Sequence, residues 1–158
     1  SPCNTYSKSC YKKKLLTIFQ YVLDNYPHIE YYYYVESDNV ICLSIAEIAH
    51  FAKTHNRYFV GTGIGASGWI MRRDFAIEYT QSYRKSVSEC PDCFAADFLS
   101  RTNQWSVSRQ YFVSHNSINV DDGLSKLNKM KHLPRCMEPH RGNWPGNGLK
   151  DIHRWGLV

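Results

Sequence analysis

Residues 31–43 read YYYYVESDNVICL, an aromatic and β-branched run that contains two carboxylates one residue apart. Tyrosine and valine favour an extended strand. Glu36 and Asp38 stand at positions i and i+2, so their side chains point to the same side wherever the chain stays extended. A strand followed by paired acids predicts a metal or catalytic site. The alternative is a solvated turn, because Ser, Asp and Asn are common turn residues.

Composition indicates a single globular unit. The chain has 158 residues, of which 43% are hydrophobic and 21% are charged, which is enough to bury a core. Aromatic residues make up 15% and mildly favour a carbohydrate or nucleotide ligand. The net charge of +5 comes from scattered basic residues and one tight run, Lys12 to Lys14. That run predicts the solvated start of a helix, so we expect no nucleic-acid partner, while an anionic small ligand is compatible with the charge.

Six cysteines form an even set, which in a secreted chain indicates disulfides whose pairing cannot be read from sequence. Cys90 and Cys93 enclose a proline and an aspartate in a CPDC motif. This spacing suits a redox pair or half of a zinc site, but no second pair of this kind completes tetrahedral ligation. Disulfides or inert thiols are therefore favoured over redox or zinc chemistry.

The chain carries no apolar run near the roughly 20 residues of a membrane span, and no signal peptide is visible. It begins at Ser1 and not at methionine. We therefore expect a fragment or a processed product, whose membrane contact would be made only through an anchor absent from this chain.

Helical and extended patterns alternate along the chain, which indicates an α/β fold. After an irregular lead-in over residues 1–11, apolar spacing predicts an amphipathic helix from Lys12 to Pro27. Ser44 and Glu47 form a capping-box pattern that opens a second helix.

The second half of the chain continues this alternation. Residues 57–60 and 69–71 read as short strands, and Asp74 is predicted to cap a third helix. A fourth helix begins at Pro91, where Asp92 is the predicted N-cap. A last strand over residues 110–115 ends on a histidine, and beyond it we expect irregular structure with one short helix around residues 124–130.

Residues 61–68 read GTGIGASG. Glycines at this density permit backbone conformations that other residues rarely adopt, and they allow a ligand to approach the backbone closely. The spacing departs from a dinucleotide fingerprint, and another short strand follows where that fingerprint needs a helix. A plain glycine-rich turn is the alternative.

Taken in order, these pieces resemble the fringe-like and β3-galactosyltransferase-like glycosyltransferases over residues 12–116. The resemblance is carried by the first helix, the strand with its acidic motif, the glycine-rich stretch, the CPD tripeptide and the FVSH strand end, at residues 14–22, 31–40, 59–71, 90–92 and 112–115. It implies a GT-A fold, an α/β mixed sheet flanked by helices with the ligand at the carboxyl ends of the strands. By this resemblance residues 1–158 are the C-terminal part of one catalytic domain, with a core over 12–116, an irregular segment over 117–158 and a truncated nucleotide lobe.

The resemblance also implies site residues. Asp38 and His115 would hold Mn²⁺, with Glu36 contacting the metal, its waters or the ribose. Asp92 would be the base that takes a proton from the attacking hydroxyl. The sugar and acceptor cleft would be shaped by Gly65, Ala66, Ser67, Gly68 and Trp69.

The implied activity is metal-dependent, inverting transfer of a hexose or N-acetylhexosamine from a UDP-sugar to a hydroxyl of a glycan or glycoprotein. It would take place in the Golgi or secretory lumen, within a type II membrane protein. Glu36 and Ser37 depart from the family's acidic motif, and Thr62 and Ile64 break up its compact glycine pair. The altered acidic motif and the missing nucleotide lobe favour an alternative, a non-catalytic carbohydrate-binding or interaction domain derived from such an enzyme. A third possibility is a thiol redox domain that uses the CPDC motif.

Overall fold

A computed structural model describes residues 7–102, 105–115, 135–140 and 157–158, with Trp105 and His115 described by their backbone alone. The fold is mixed α/β, with small sheets and flanking helices in the described part. The predicted α/β class is therefore confirmed, while the GT-A arrangement stays a prediction. The helix predicted around residues 124–130 lies outside the described residues.

Helix α1 spans Lys8–Asn25 and begins four residues before the predicted start at Lys12. The cause is Ser7, whose Oγ accepts a hydrogen bond from Cys10 N at 3.2 Å and so caps the helix. The prediction of an irregular lead-in is wrong for residues 8–11. The buried face of α1 is formed mainly by Leu15, Phe19 and Leu23.

The described strands are short and form two sheets. They are β1 Tyr31–Tyr34, β2 Asn39–Ile41, β3 Phe59–Gly61, β4 Trp69–Arg72, β5 Trp105–Val107 and β6 Val113–His115. The larger sheet has the order β1-β4-β3-β5, with β5 parallel to β3 and the other neighbours antiparallel. In the second sheet β2 pairs antiparallel with β6. The sequence pattern predicts β1, β3, β4 and β6, but not β2 and β5.

Three more helices connect the strands: α2 Ile45–His55, α3 Arg73–Lys85 and α4 Pro91–Ser100. The predicted capping box of α2 is confirmed. Ser44 Oγ accepts from Glu47 N at 3.2 Å, and Glu47 Oε2 accepts from Ser44 N at 2.7 Å. These reciprocal bonds satisfy backbone donors at the start of the helix.

The predicted caps of α3 and α4 are wrong by two residues in each case. Strand β4 runs directly into α3, so Arg72 is its N-cap and Asp74 lies in the first turn, where it pairs with Arg72. In α4 the N-cap is Cys90, and Asp92 lies in the first turn. Proline favours the first helical position, so Pro91 sets the cap at the preceding residue.

Two hydrophobic clusters cover opposite faces of the larger sheet. The larger cluster joins Phe59, Trp69 and Met71 to α1, α3 and α4, and the smaller joins Val60 and Ile70 to α2. Successive side chains of a strand point to opposite faces, which explains this division. The tyrosines of β1 divide in the same way, two against each cluster. Strand β1 is therefore packed on both faces.

The cysteines of the described residues are disulfide-bonded. Cys42 pairs with Cys136, Cys90 pairs with Cys93, and Cys10 is also in a disulfide. The expectation that disulfides are favoured is thereby confirmed. Within the described residues, no helix is long and apolar enough to span a bilayer.

Candidate functional site

Residues 36–38, here called the acidic turn, connect β1 to β2. Asn39 N donates to Glu36 O at 3.1 Å and closes the turn. Glu36 and Asp38 are half-buried and Ser37 is exposed. Because the chain turns here and is not extended, the i and i+2 spacing does not by itself put the two carboxylates on one side. Their placement depends on the contacts made by each side chain.

The Glu36 carboxylate is held from two sides. Tyr11 OH donates to Oε1 at 2.7 Å, and Ser67 Oγ donates to Oε2 at 3.3 Å. The Tyr34 hydroxyl lies 2.9 Å from the Tyr11 hydroxyl and extends the network. Burial is the main cause of a raised pKa of Tyr11, so this hydroxyl keeps the proton that it donates. One end of α1, the end of β1 and the glycine-rich segment are thus joined at Glu36.

Asn39 connects the acidic turn to the second sheet. Its Nδ2 donates to Ser67 Oγ at 3.2 Å, and its backbone stands opposite His115 in the β2–β6 register. Residues directly opposite in an antiparallel pair have Cα atoms about 4.5–5.5 Å apart. The backbone of His115 therefore lies beside the residue that follows Asp38. The fold brings these two predicted ligand positions together.

The glycine-rich segment, residues 61–68, contacts the acidic turn and is mostly buried. Every residue of the predicted cleft set, from Gly65 to Trp69, is buried. Trp69 is 0% exposed, packs within the larger cluster, and donates from Nε1 to Gly65 O at 2.6 Å. Among these residues the Ser67 side chain contacts the turn directly. The prediction that the Trp69 side chain lines an open sugar cleft does not agree with this burial.

Close packing against β6 explains why glycine stands at two positions of the segment. A Cβ on Gly63 would lie 2.3 Å from Ser67 O and 2.4 Å from Val113 Cγ2. At Gly68 the backbone has φ +73°, and a Cβ would lie 2.5 Å from Thr62 Oγ1. The group that approaches these glycines closely is thus another part of the same chain. The approaching atoms come from the segment itself and from Val113 on β6.

Asp92 lies in the first turn of α4 and is half-buried, and this burial raises the pKa of its carboxyl group. Tyr79 OH donates to Pro91 O at 2.9 Å and anchors the start of α4 on α3. Asp92 is therefore carried on a helical turn that is fixed to α3.

Three residues of this region have no signal in the local sequence. Tyr11 and Asn39 hold the acidic turn, and His140 binds the glycine-rich segment through Nε2, 3.1 Å from Gly63 O. His140 is 8% exposed, and burial lowers its pKa to about 4. The contact spans 77 residues, and neither periodicity nor motif spacing detects a pair so far apart.

Two grooves lie at the other end of β1. One, of about 840 Å³, has Pro27 and Asp74 among its lining residues. A second, of about 500 Å³, lies between β1 and α2. Both are lined by Tyr31, which begins β1, whereas the acidic turn follows the end of that strand. These grooves and the predicted metal ligands thus lie at different places, and a groove alone specifies no chemistry.

The predicted metal ligands are of the types that a hard divalent cation binds, since Mn²⁺ accepts carboxylate oxygens and an imidazole. Glu36 and Asp38 lie in the acidic turn, and the backbone of His115 pairs with Asn39. In the described part, one convergent trio of ligating side chains is found, Cys90, Asp92 and Cys93. Its sulfurs are joined in a disulfide, so that trio does not indicate Mn²⁺.

Comparison with known proteins identifies no relative. The chain matches no protein-family profile, no curated protein and no solved structure. A function must therefore be argued from the site and not from the fold.

Proposed function

We propose that this chain is part of a metal-dependent inverting glycosyltransferase that uses a UDP-sugar donor and a glycan or glycoprotein hydroxyl as acceptor. The observation that carries the proposal is the pairing of β2 with β6. This pairing sets the backbone of His115 opposite Asn39, next to the acidic turn. This backbone pairing supports the proposal, because it sets His115 near two acidic residues that are distant from it in sequence.

In this proposal Asp38 and His115 hold Mn²⁺, with Glu36 beside them. When bound, the cation would neutralise negative charge on the departing nucleoside diphosphate. Tyr11 and Ser67 fix the Glu36 carboxylate by hydrogen bonds to both of its oxygens. Such preorganisation lowers the cost of holding a polar ligand in one orientation.

Asp92 is the proposed base for the acceptor hydroxyl. Inversion at the sugar carbon requires a group that removes the proton of the attacking hydroxyl, and a carboxylate is suitable. The raised pKa of Asp92 makes it a stronger base than an exposed aspartate. The disulfides are compatible with an oxidising compartment, and we propose the Golgi or secretory lumen on that ground.

A non-catalytic carbohydrate-binding or interaction domain is the second candidate. The burial of residues 65–69 favours it, because these residues form no open cleft beside the acidic turn. Ser37 also removes one carboxylate from the acidic motif that the resemblance implies.

The substitution Asp38→Asn separates the two candidates. For the unsubstituted chain we expect calorimetry to detect UDP binding that requires Mn²⁺. In the variant this binding should weaken by at least about tenfold, since even the partners of metal ligands contribute that much to metal affinity. Release of UDP from a UDP-sugar should fall with it. Asp97→Asn is the matched control, because Asp97 is an exposed acid on α4. It pairs with Arg101, the C-cap of that helix.

Unchanged Mn²⁺-dependent UDP binding in Asp38→Asn would refute the site assignment. Glycan binding that persists in a chelator, without any UDP binding, would support the second candidate instead.

A further inference from the structure

The first turn of α4 is closed by the disulfide between Cys90 and Cys93. Cys90 is the N-cap, and its Sγ accepts a hydrogen bond from Cys93 N at 3.3 Å. After reduction the same backbone donor would stabilise a Cys90 thiolate, because helix N-termini favour negative charge. The two sulfurs therefore differ: one is held in the cap, and the other is not.

Access to the two sulfurs also differs. Cys93 is exposed and Cys90 is half-buried. An incoming thiol therefore reaches Cys93 more readily, and Cys90 is the sulfur that departs. A departing thiol leaves faster when its thiolate is stabilised. The cap position of Cys90 and the exposure of Cys93 thus favour the same direction of attack.

Charged groups near the pair affect the stability of a Cys90 thiolate. Lys12 Nζ donates to Ser86 O at 2.7 Å and to Ser88 O at 2.9 Å, so a cation binds the loop that leads to Cys90. Asp92 Oδ1 lies 2.9 Å from Cys90 Sγ, and an ionised carboxylate there would oppose the thiolate. Burial raises the pKa of Asp92, so protonation of this carboxyl beside a thiolate costs less free energy than it would for an exposed aspartate.

We propose that Cys90–Cys93 is a thiol-exchange site, opened by a low-molecular-weight thiol while the rest of the fold stays intact. This activity goes beyond the proposed glycosyl transfer and does not depend on it. The pair belongs to residues 90–93, and no part of the acidic turn takes part in the exchange.

The exchange takes place in two balanced steps. An external thiolate forms a bond to Cys93 Sγ, the Cys90–Cys93 bond breaks, and Cys90 leaves as a thiolate. A second external thiolate then attacks the external sulfur of the mixed disulfide and releases Cys93. Two external thiols are oxidised to one external disulfide, the pair gains two electrons, and two protons pass from the external thiols to the two cysteines.

The disulfide Cys42–Cys136 is the internal control. It links residues 94 apart, whereas Cys90 and Cys93 are 3 apart. Loop-closure entropy grows with the logarithm of loop length, with a coefficient of 3/2 R, so the folding equilibrium constant changes with the 3/2 power of the length ratio. Losing the longer link should therefore lower that constant on the order of a hundredfold more than losing the shorter one. Opening the short link releases only the first turn of α4.

The test equilibrates the full chain in glutathione buffers of increasing reduced-to-oxidised ratio, followed by alkylation and peptide mass mapping. We expect Cys90 and Cys93 to become alkylated together, at a ratio at least about tenfold lower than Cys42 and Cys136. Helical circular dichroism and a cooperative unfolding transition should persist at that ratio. The unsubstituted chain gives the whole comparison, so no variant has to fold.

Two results would overturn the proposal. One is that both described disulfides open at the same ratio, and the other is that Cys90 and Cys93 open only when the helical signal is lost. A Cys42→Ser, Cys136→Ser double variant that folds should keep the exchange at Cys90 and Cys93. Loss of exchange in that folded variant would likewise refute it.

Discussion

His140 should make the fold lose stability as the pH falls below neutrality, and His140→Gln should remove most of that loss. The imidazole is buried, its ring centroid lies 4.4 Å from that of Tyr111, and Nε2 is 3.1 Å from Gly63 O. With a carbonyl as its partner, Nε2 is the protonated nitrogen and donates. Glutamine keeps an amide donor for that carbonyl but carries no proton that titrates in this range.

The direction of this pH dependence follows from the difference between the pKa of His140 in the folded chain and its pKa in the unfolded chain. Burial lowers the pKa of His140 in the folded chain to about 4, from the ordinary value of 6.5. Between these values the unfolded chain binds a proton that the folded chain excludes, so the free energy of unfolding rises with pH. The contribution is complete above pH 6.5 and is lost as the pH falls toward 4. At 1.36 kcal/mol per pKa unit, this difference amounts to about 3 kcal/mol.

Urea denaturation at pH 7, 6, 5 and 4 measures this contribution. From pH 7 to pH 4 the unsubstituted chain should lose about 3 kcal/mol more unfolding free energy than His140→Gln. His50→Gln is the matched control, because His50 is an exposed histidine on α2, and it should retain the pH dependence of the unsubstituted chain. Equal losses in the unsubstituted chain and His140→Gln would show that His140 is not held in its neutral form by burial.

Two further predictions concern the glycine-rich segment and a helix cap. Gly65 and Gly68 both have positive φ, 62° and 73°, but a Cβ at Gly68 also meets Thr62 Oγ1. Gly68→Ala should therefore cost about 3 kcal/mol and Gly65→Ala about 1–2 kcal/mol in denaturant unfolding, and equal costs would contradict the predicted clash. Ser44→Ala should cost about 1 kcal/mol, because it removes the capping box of α2; an unchanged denaturation midpoint would show that this cap contributes nothing.

Local signals in the sequence predict several elements correctly because their causes are local. Ser44 and Glu47 are three residues apart, and the bonds between them define the start of α2. The tyrosines of β1 favour an extended strand by residue type alone. The predicted cap at Asp92 is wrong for a reason that is also local: proline favours the first helical position, and with Pro91 there the N-cap is Cys90.

The contacts that form the candidate site are not local. Tyr11 reaches Glu36 across 25 residues, Ser67 reaches it across 31, and His140 reaches Gly63 across 77. No periodicity or spacing rule specifies such pairs, because they depend on how helices and strands pack. The metal ligands proposed from the sequence, Asp38 and His115, stay a prediction, and nothing in that proposal indicates Tyr11 or His140.

The packing around residues 61–68 shows why glycines stand in this segment. The sequence alone indicates that something approaches this backbone closely, and either a ligand or the chain itself would satisfy that condition. The approaching atoms belong to the chain itself. A Cβ on Gly63 would lie 2.3 Å from Ser67 O and 2.4 Å from Val113 Cγ2, and a Cβ on Gly68 would lie 2.5 Å from Thr62 Oγ1 and 3.0 Å from Val113 Cγ2. Val113 begins β6, two residues before His115. A Cβ at either glycine would therefore require the segment itself or β6 to shift, and in the proposed metal site a shift of β6 would move His115 relative to the acidic turn. The packing of the segment on itself and on β6 thus accounts for these glycines without a ligand.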